Sequence, residues 1–147
     1  MMRMNNIWTI VPGVPKAQIR HRHTRSGHTY DPSAKDKKDF INKLKAYTNE
    51  NVYPLDKPLT GHISLMITFK FPWPKKWYRT GKYAGLLKDN NPIVHTKKPD
   101  IDNLVKFVMD VGNGELWKDD CQIYRVQAKK IYSLSPETLI IMEATNE

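Results

Sequence analysis

Apolar residues recur along the chain with two periods, and the changes between them mark out the elements. The clearest strand is residues 63–71, where Ile63, Leu65, Ile67, Phe69 and Phe71 alternate with Ser64, Met66, Thr68 and Lys70. Successive side chains of an extended chain point to opposite faces, so this run predicts a strand with one buried face. Pro72 and Pro74 end it, since proline brings no N–H to a sheet. Residues 7–11 (IWTIV) predict an earlier strand, stopped by Pro12 and Gly13. Residues 121–132 and 138–144 predict two more, joined by the turn Ser133-Leu134-Ser135-Pro136. Two short extended runs, 20–25 and 28–30, flank Ser26-Gly27. A glycine there accepts positive φ without steric cost, so the three segments predict a hairpin.

Two other segments carry the helical period. Phe40, Ile41, Leu44 and Tyr47 fall on one face of a helix that begins at Ser33 and ends near Asn49. Ser33 followed by Asp36 predicts a capping box. Leu104, Phe107, Val108 and Val111 mark the buried face of a second helix starting near Asp102. Asp102, Lys106 and Asp110 lie on its opposite face, and Gly112-Asn113-Gly114 ends it. Residues 73–99 show no periodicity. They are rich in Lys, Arg, Trp and Tyr, which suits either contact with phosphates and exposed bases or a solvated loop whose Trp73 and Trp77 cap the core. These elements predict an α+β fold: a single small domain over residues 1–147, with a mixed or antiparallel sheet, two main helices, and 73–99 as a long basic, aromatic loop or insertion. A chain of 147 residues buries an adequate core without staples.

Charge changes this picture more than length does. The formal net charge is +9, but it is unevenly spread. Residues 1–99 hold 19 Lys/Arg against 6 Asp/Glu, whereas residues 100–147 hold 5 against 9. Six of those nine acids fall between Asp100 and Asp120. A basic body attracts polyanions by releasing their condensed counterions. An acidic centre within it repels the same polyanion unless cations neutralise it. Several classes are excluded. No apolar run approaches the ~20 residues of a membrane span, the first residues do not form a signal peptide, and Cys121 is the only cysteine. A soluble, intracellular protein of a reducing compartment is expected.

The acids carry the candidate chemistry. In Asp100-Ile101-Asp102, an extended approach to the helix would turn both carboxylates to one point. Two close anions repel, and a divalent ion relieves this best; Mg²⁺ takes oxygen ligands and keeps waters and phosphate oxygens besides one or two carboxylates. Asp119 and Asp120 supply a further pair beyond the Gly-Asn-Gly turn, of which at most one can face the same point from a regular strand. Such a set suits phosphodiester hydrolysis. Lys106, one turn after Asp102, either contacts the phosphate or pairs with Asp102 at i,i+4. A calcium loop starting at Asp100 fails, because its fifth and sixth positions are Leu104 and Val105. A cysteine zinc site fails for want of cysteines. His21, His23 and His28 of the hairpin suit a cationic surface facing DNA better than a metal.

The run Lys98-Pro99-Asp100-Ile101-Asp102-Asn103-Leu104-Val105-Lys106, then Asp110, then Leu116-Trp117-Lys118-Asp119-Asp120-Cys121-Gln122-Ile123, resembles the RusA family of Holliday junction resolvases, and most closely its phage and prophage branch. Val11-Pro12-Gly13-Val14-Pro15-Lys16 and the basic hairpin ending at Tyr30 are similar too. The resemblance implies a RusA-like fold and a homodimer that cuts four-way DNA junctions, in recombination and repair, with Mg²⁺ or, in its place, Mn²⁺. It implies Asp100, Asp102 and Asp120 as metal-holding catalytic acids and Lys106 as the catalytic lysine. Asp119 and Asn103 would support these ligands, and Lys16, Arg20, Arg22, Arg25, Lys97 and Lys98 would contact DNA. The alternatives are a non-catalytic, structure-selective DNA-binding module and a less selective nuclease of branched DNA.

Overall fold

The alternation over residues 63–71 sets the centre of the molecule. In the computed structural model, which describes residues 3–47 and 57–146, this run lies in β4 (His62–Phe71). Ile63, Leu65, Ile67, Phe69 and Phe71 are all buried. On one side β4 pairs antiparallel with β6 (Glu137–Asn146), and on the other it pairs parallel with β5 (Ile123–Tyr132). The strand β1 (Arg3–Pro12) pairs antiparallel with β6 and forms the far edge, giving the order β1-β6-β4-β5. The sheet is therefore mixed, as expected. Although residues 133–136 join β5 to β6 directly, the two strands are not neighbours. Their link passes over the end of β4, where the Ser133 N–H donates to the Phe71 carbonyl (2.8 Å).

The parallel pair explains the long aperiodic stretch. Parallel strands need a crossover of a dozen residues or more, usually through a helix. Here the crossover comprises residues 73–99 and α2 (Ile101–Gly112). Its loop portion is pinned to the core. Trp73 stacks on Tyr132 with ring centroids 5.8 Å apart and donates its indole N–H to the Pro92 carbonyl (2.6 Å). His95 is buried, with its ring stacked on Phe71 at 4.3 Å and tilted against Tyr132 at 4.8 Å. Burial, aided by the nearby Lys130 charge, holds the His95 pKa below its ordinary 6.5, and Nδ1 has no hydrogen-bond partner. Protonation thus favours the unfolded chain: the stability is complete above the unfolded value and declines as pH falls through it. Between about pH 7.5 and about pH 5 the melting temperature should fall by a component that His95→Phe lacks; thermal melts of both proteins across that range check this.

The two helices cover the same face of the sheet. In α1 (Ala34–Tyr47) Phe40 and Leu44 are buried. In α2 Leu104, Phe107, Val108 and Val111 are buried, the four positions that the period predicts. Phe40 and Phe107 meet edge to face at 5.5 Å, and each such buried side chain contributes roughly 1.5–3 kcal/mol. At the rim of this contact the Lys37 ammonium bridges Asp31 (2.6 Å) and Asp110 (3.4 Å), which holds the Asp31 carboxyl below the usual carboxylate range. The start of α1 differs from the expected capping box. Ser33 is fully buried, and its hydroxyl accepts from the Ile19 N–H (3.0 Å). It is Asp31 whose carboxylate accepts from the Ser33 N–H (2.9 Å). Tertiary contact has redirected the cap residue. Asn49, the expected helix end, lies outside the described residues. The hairpin is present as β2 (Arg22–His23) and β3 (Thr29–Tyr30), with Gly27 at φ 86° in its turn. Among the described residues no helix is long and apolar enough to cross a membrane.

Candidate active site

The site is built on the start of α2. Asp100 is its N-cap residue, with extended dihedrals (φ −70°, ψ 145°), and Asp102 is already its second helical residue. The pair straddles the helix boundary, so the alternation rule for an extended chain does not govern it. The helix itself then sets the spacing: Asp102, Lys106 and Asp110 follow one another at four-residue steps, about 6 Å of rise each, along the exposed ridge opposite the buried face. Asp100 at the N-cap and Asp102 in the first turn also meet the positive end of the helix dipole, a modest stabilisation.

Asp120 reaches this ridge from the loop that follows α2. That loop is assembled around Trp117, which is fully buried. The indole lies against Gly112, where a Cβ would stand 2.5 Å from Cζ2 and 2.9 Å from Cζ3, and nearer still to Cη2. Only glycine leaves room for the ring. The indole N–H donates to Asp120 Oδ1 (2.6 Å) and the Asp120 N–H donates to Asn113 Oδ1 (3.2 Å). One carboxylate oxygen of Asp120 is thereby engaged by a rigid donor, and the other is left for a ligand. Asp120 opens a 3-10 turn (Asp120–Gln122), and β5 begins only at Ile123, two residues later than the pattern predicts. Asp119 caps this turn: its carboxylate accepts from the Cys121 N–H (3.0 Å), while its own N–H donates to Gln122 Oε1 (2.7 Å). The Cys121 N–H also holds the Asp119 carboxyl below its ordinary value.

These elements line an open cavity of about 500 Å³ formed by Asp102, Lys106, Asp110 and Asp120, over an apolar wall of Ile101, Val105, Met109, Val126 and Ala128. A second cleft of about 340 Å³ adjoins it, lined by Gln18, Ile19, Arg20, His21, Asn103, Lys106 and Asp110. Lys106 and Asp110 form the wall between the two. Among the described residues Lys106 forms no ion pair, with Asp102 or with any other acid. An exposed i,i+4 pair would add only about 0.3–0.5 kcal/mol, and Lys106 instead keeps its amine available to a ligand in either cavity.

The structure thus brings Asp102, Lys106 and Asp120 together. It sets Asp100 immediately before the cavity, outside its lining. Arg20 and Asn103 face the adjoining cleft. Asp119 turns to a different hollow, with Cys121, Gln122 and Tyr124. Lys16 lines a hollow between residues 11–16 and α1 together with Lys43, Asp36 and Asp39. Lys97 and Lys98 are exposed on the segment leading into Asp100, and Arg22 and Arg25 are exposed on the hairpin. Two contributors went unassigned in the sequence. Asp110 was legible in the four-residue spacing from Asp102 and Lys106. The Trp117 N–H had no local signal, since its direction depends on Gly112.

The donor set is made of carboxylate oxygens. Among the described residues no group of three His, Cys, Asp or Glu side chains could hold a metal by itself. The arrangement fits a hydrated divalent cation that takes one or two protein carboxylates and fills its sphere with water and phosphate oxygens. It does not fit a closed cage of protein ligands.

Residues 12–143 match the family described as endodeoxyribonuclease RusA. The chain belongs to the RusA endodeoxyribonuclease family. A further similarity is to the uncharacterized protein YqaN of Bacillus subtilis (strain 168), 31% identical over 147 residues, covering 95% of this chain and 96% of that protein. The matched span includes the whole of α2, the Trp117 loop and the basic hairpin, so the RusA-family relationship covers every part of the cavity just described.

Proposed function

We propose that this RusA-family endodeoxyribonuclease resolves four-way (Holliday) DNA junctions by paired, symmetric phosphodiester cleavage with Mg²⁺, which Mn²⁺ can replace. The observation that carries the reading is the shared cavity of Asp102, Lys106 and Asp120 beside a cleft that contains Arg20 and His21. Asp102 and Asp120 would supply the direct carboxylates for the cation, and Asp100, just outside the cavity lining, would add its negative charge from the helix start. A divalent ion bound there lowers the pKa of water and screens the anionic phosphate. Lys106 donates to a non-bridging phosphate oxygen, where its charge meets the charge that develops during attack. Trp117 keeps Asp120 from rotating. Arg20, Arg22 and Arg25, with Lys16, Lys97 and Lys98, neutralise flanking phosphates, while Asn103 and Asp119 support the neighbouring backbone.

Junction resolution requires two cuts, and among the described residues one cavity brings Asp102, Lys106 and Asp120 together; the working form is therefore a homodimer, with residues 1–147 of each copy as a single endonuclease domain. Its setting is the cytoplasm of a bacterial or phage-infected cell, in recombination and repair of DNA, consistent with a prophage origin. Incubation with a synthetic four-way junction and Mg²⁺ or Mn²⁺ tests the reading. The expected products are paired nicks in opposing strands, lost on chelation. Equal degradation of linear duplex would reduce the protein to a general nuclease, and salt-sensitive binding without cutting would reduce it to a DNA-binding module.

A further inference from the structure

A lysine ammonium near a helix N-terminus is electrostatically out of place, because the positive end of the helix dipole repels it. Lys130 is in that position. It sits in β5 opposite Phe69 of β4, and its Nζ donates to the carbonyls of Lys97 (2.6 Å) and Pro99 (2.7 Å), the residues that run into Asp100. Its own carbonyl accepts from the His95 N–H (3.1 Å). Lys97 and Lys98 add two more cations nearby. Asp100 and Asp102 at the same helix start offset that repulsion, and the two carbonyl acceptors hold the ammonium in place. Charge-assisted hydrogen bonds of this kind are roughly twice as strong as neutral ones.

The consequence lies in what else holds that segment. Among the described residues, no other group hydrogen-bonds Thr96, Lys97, Lys98 or Pro99. The path from the buried His95 to the N-cap Asp100 is fixed to the sheet through one amine. Asp100 and Ile101, and through them Asp102, begin where this segment ends.

We infer that Lys130 is a positioning residue for the acidic site: its ammonium ties residues 97–99 to β5 and so sets where Asp100 and Asp102 stand relative to Asp120. This rests on the metal-dependent cleavage proposed above. Lys130 touches neither DNA nor a cation in this role. It acts through two backbone carbonyls, as groups behind metal ligands do when they orient them.

The tests compare the wild-type chain with Lys130→Met, which keeps the stem and removes the donor, and Lys130→Arg, which keeps a charged donor able to meet two carbonyls. Amide hydrogen exchange, which needs neither metal nor DNA, should be faster over residues 96–103 in Lys130→Met and unchanged in β4 and β6. In junction cleavage the Mn²⁺ concentration for half-maximal rate should rise about tenfold in Lys130→Met, the lower end of the range for losing an orienting group. Lys130→Arg should recover most of that loss, and calorimetric Mn²⁺ binding should follow the same order. Unchanged exchange over 96–103 overturns the inference. So does a lowered melting temperature with an unchanged Mn²⁺ requirement, or a reduced salt dependence of junction binding with that requirement intact, which would make Lys130 a phosphate contact. If the wild-type protein cuts no junction, the functional reading falls while the exchange and calorimetry still decide the role of Lys130.

Discussion

Asp102→Asn should bind a four-way junction and fail to cut it. Asp102 is exposed on the α2 ridge, so the substitution removes no packing. It gives up one favourable interaction with the helix dipole, about 0.3–1 kcal/mol at most, against a total stability on the order of 5–15 kcal/mol for a domain. The protein therefore folds. The chemical loss is much larger. An amide is a weak ligand for a hard cation, and a lost carboxylate withdraws several kcal/mol of charge stabilisation from the transition state. That corresponds to a rate reduced by about a thousandfold or more. Without metal, binding should be slightly tighter than in the wild type, because one anion that repels the phosphates is gone. Single-turnover cleavage, a gel-shift titration and a thermal melt on the same preparation separate these effects. Cleavage within tenfold of wild type would remove Asp102 from the cation site. Asp119→Asn serves as the contrast: its carboxylate caps a turn and faces a different hollow, so cleavage should change little.

What the sequence could reveal follows the range over which each feature is encoded. The buried face of β4 and that of α2 were legible because their periods are local; Ile63 to Phe71 and Leu104 to Val111 need only their own neighbours. The acids that line the cavity, Asp102, Asp110 and Asp120, fall within a span of about twenty residues and so stood out as a cluster, whereas Asp100 and Asp119 of the same span lie outside the lining. The parallel pairing of β4 with β5 was not legible, since a crossover of about fifty residues separates the two strands and β6, next in the chain, pairs with the other side of β4. Ser33 misled because its hydroxyl is claimed by Ile19, fourteen positions away. The late start of β5 could have been foreseen: Asp119 followed by Gln122 has the spacing of a capping box. Lys130 had no signal at all. Its pattern is that of an ordinary edge-strand lysine, and only the path of residues 97–99 gives its amine a role.

Gly112→Ala should be strongly damaging, against the direction that helix propensity predicts. Alanine in place of glycine inside a helix ordinarily stabilises by about 1 kcal/mol. Here the added methyl would fall within the indole of Trp117, 2.5 Å from Cζ2. Neither partner can yield cheaply, since Gly112 and Trp117 are both buried. Overpacking of this kind costs about 1–3 kcal/mol, occasionally more, and this overlap lies at the severe end. A net loss of about 3 kcal/mol lowers the melting temperature by roughly 6–12 °C in a domain of this size. The surviving folded protein should also cut poorly, because any rotation of the indole withdraws its N–H from Asp120 Oδ1. Adding Trp117→Phe distinguishes the two consequences. A phenyl ring does not reach the space of the distal indole atoms, so Gly112→Ala should cost much less stability in the Phe background, a coupling that a double-mutant cycle measures directly. Cleavage should not recover, because phenylalanine has no donor for Asp120. If stability and cleavage recover together, the Trp117 hydrogen bond is dispensable and the indole acts only as filling.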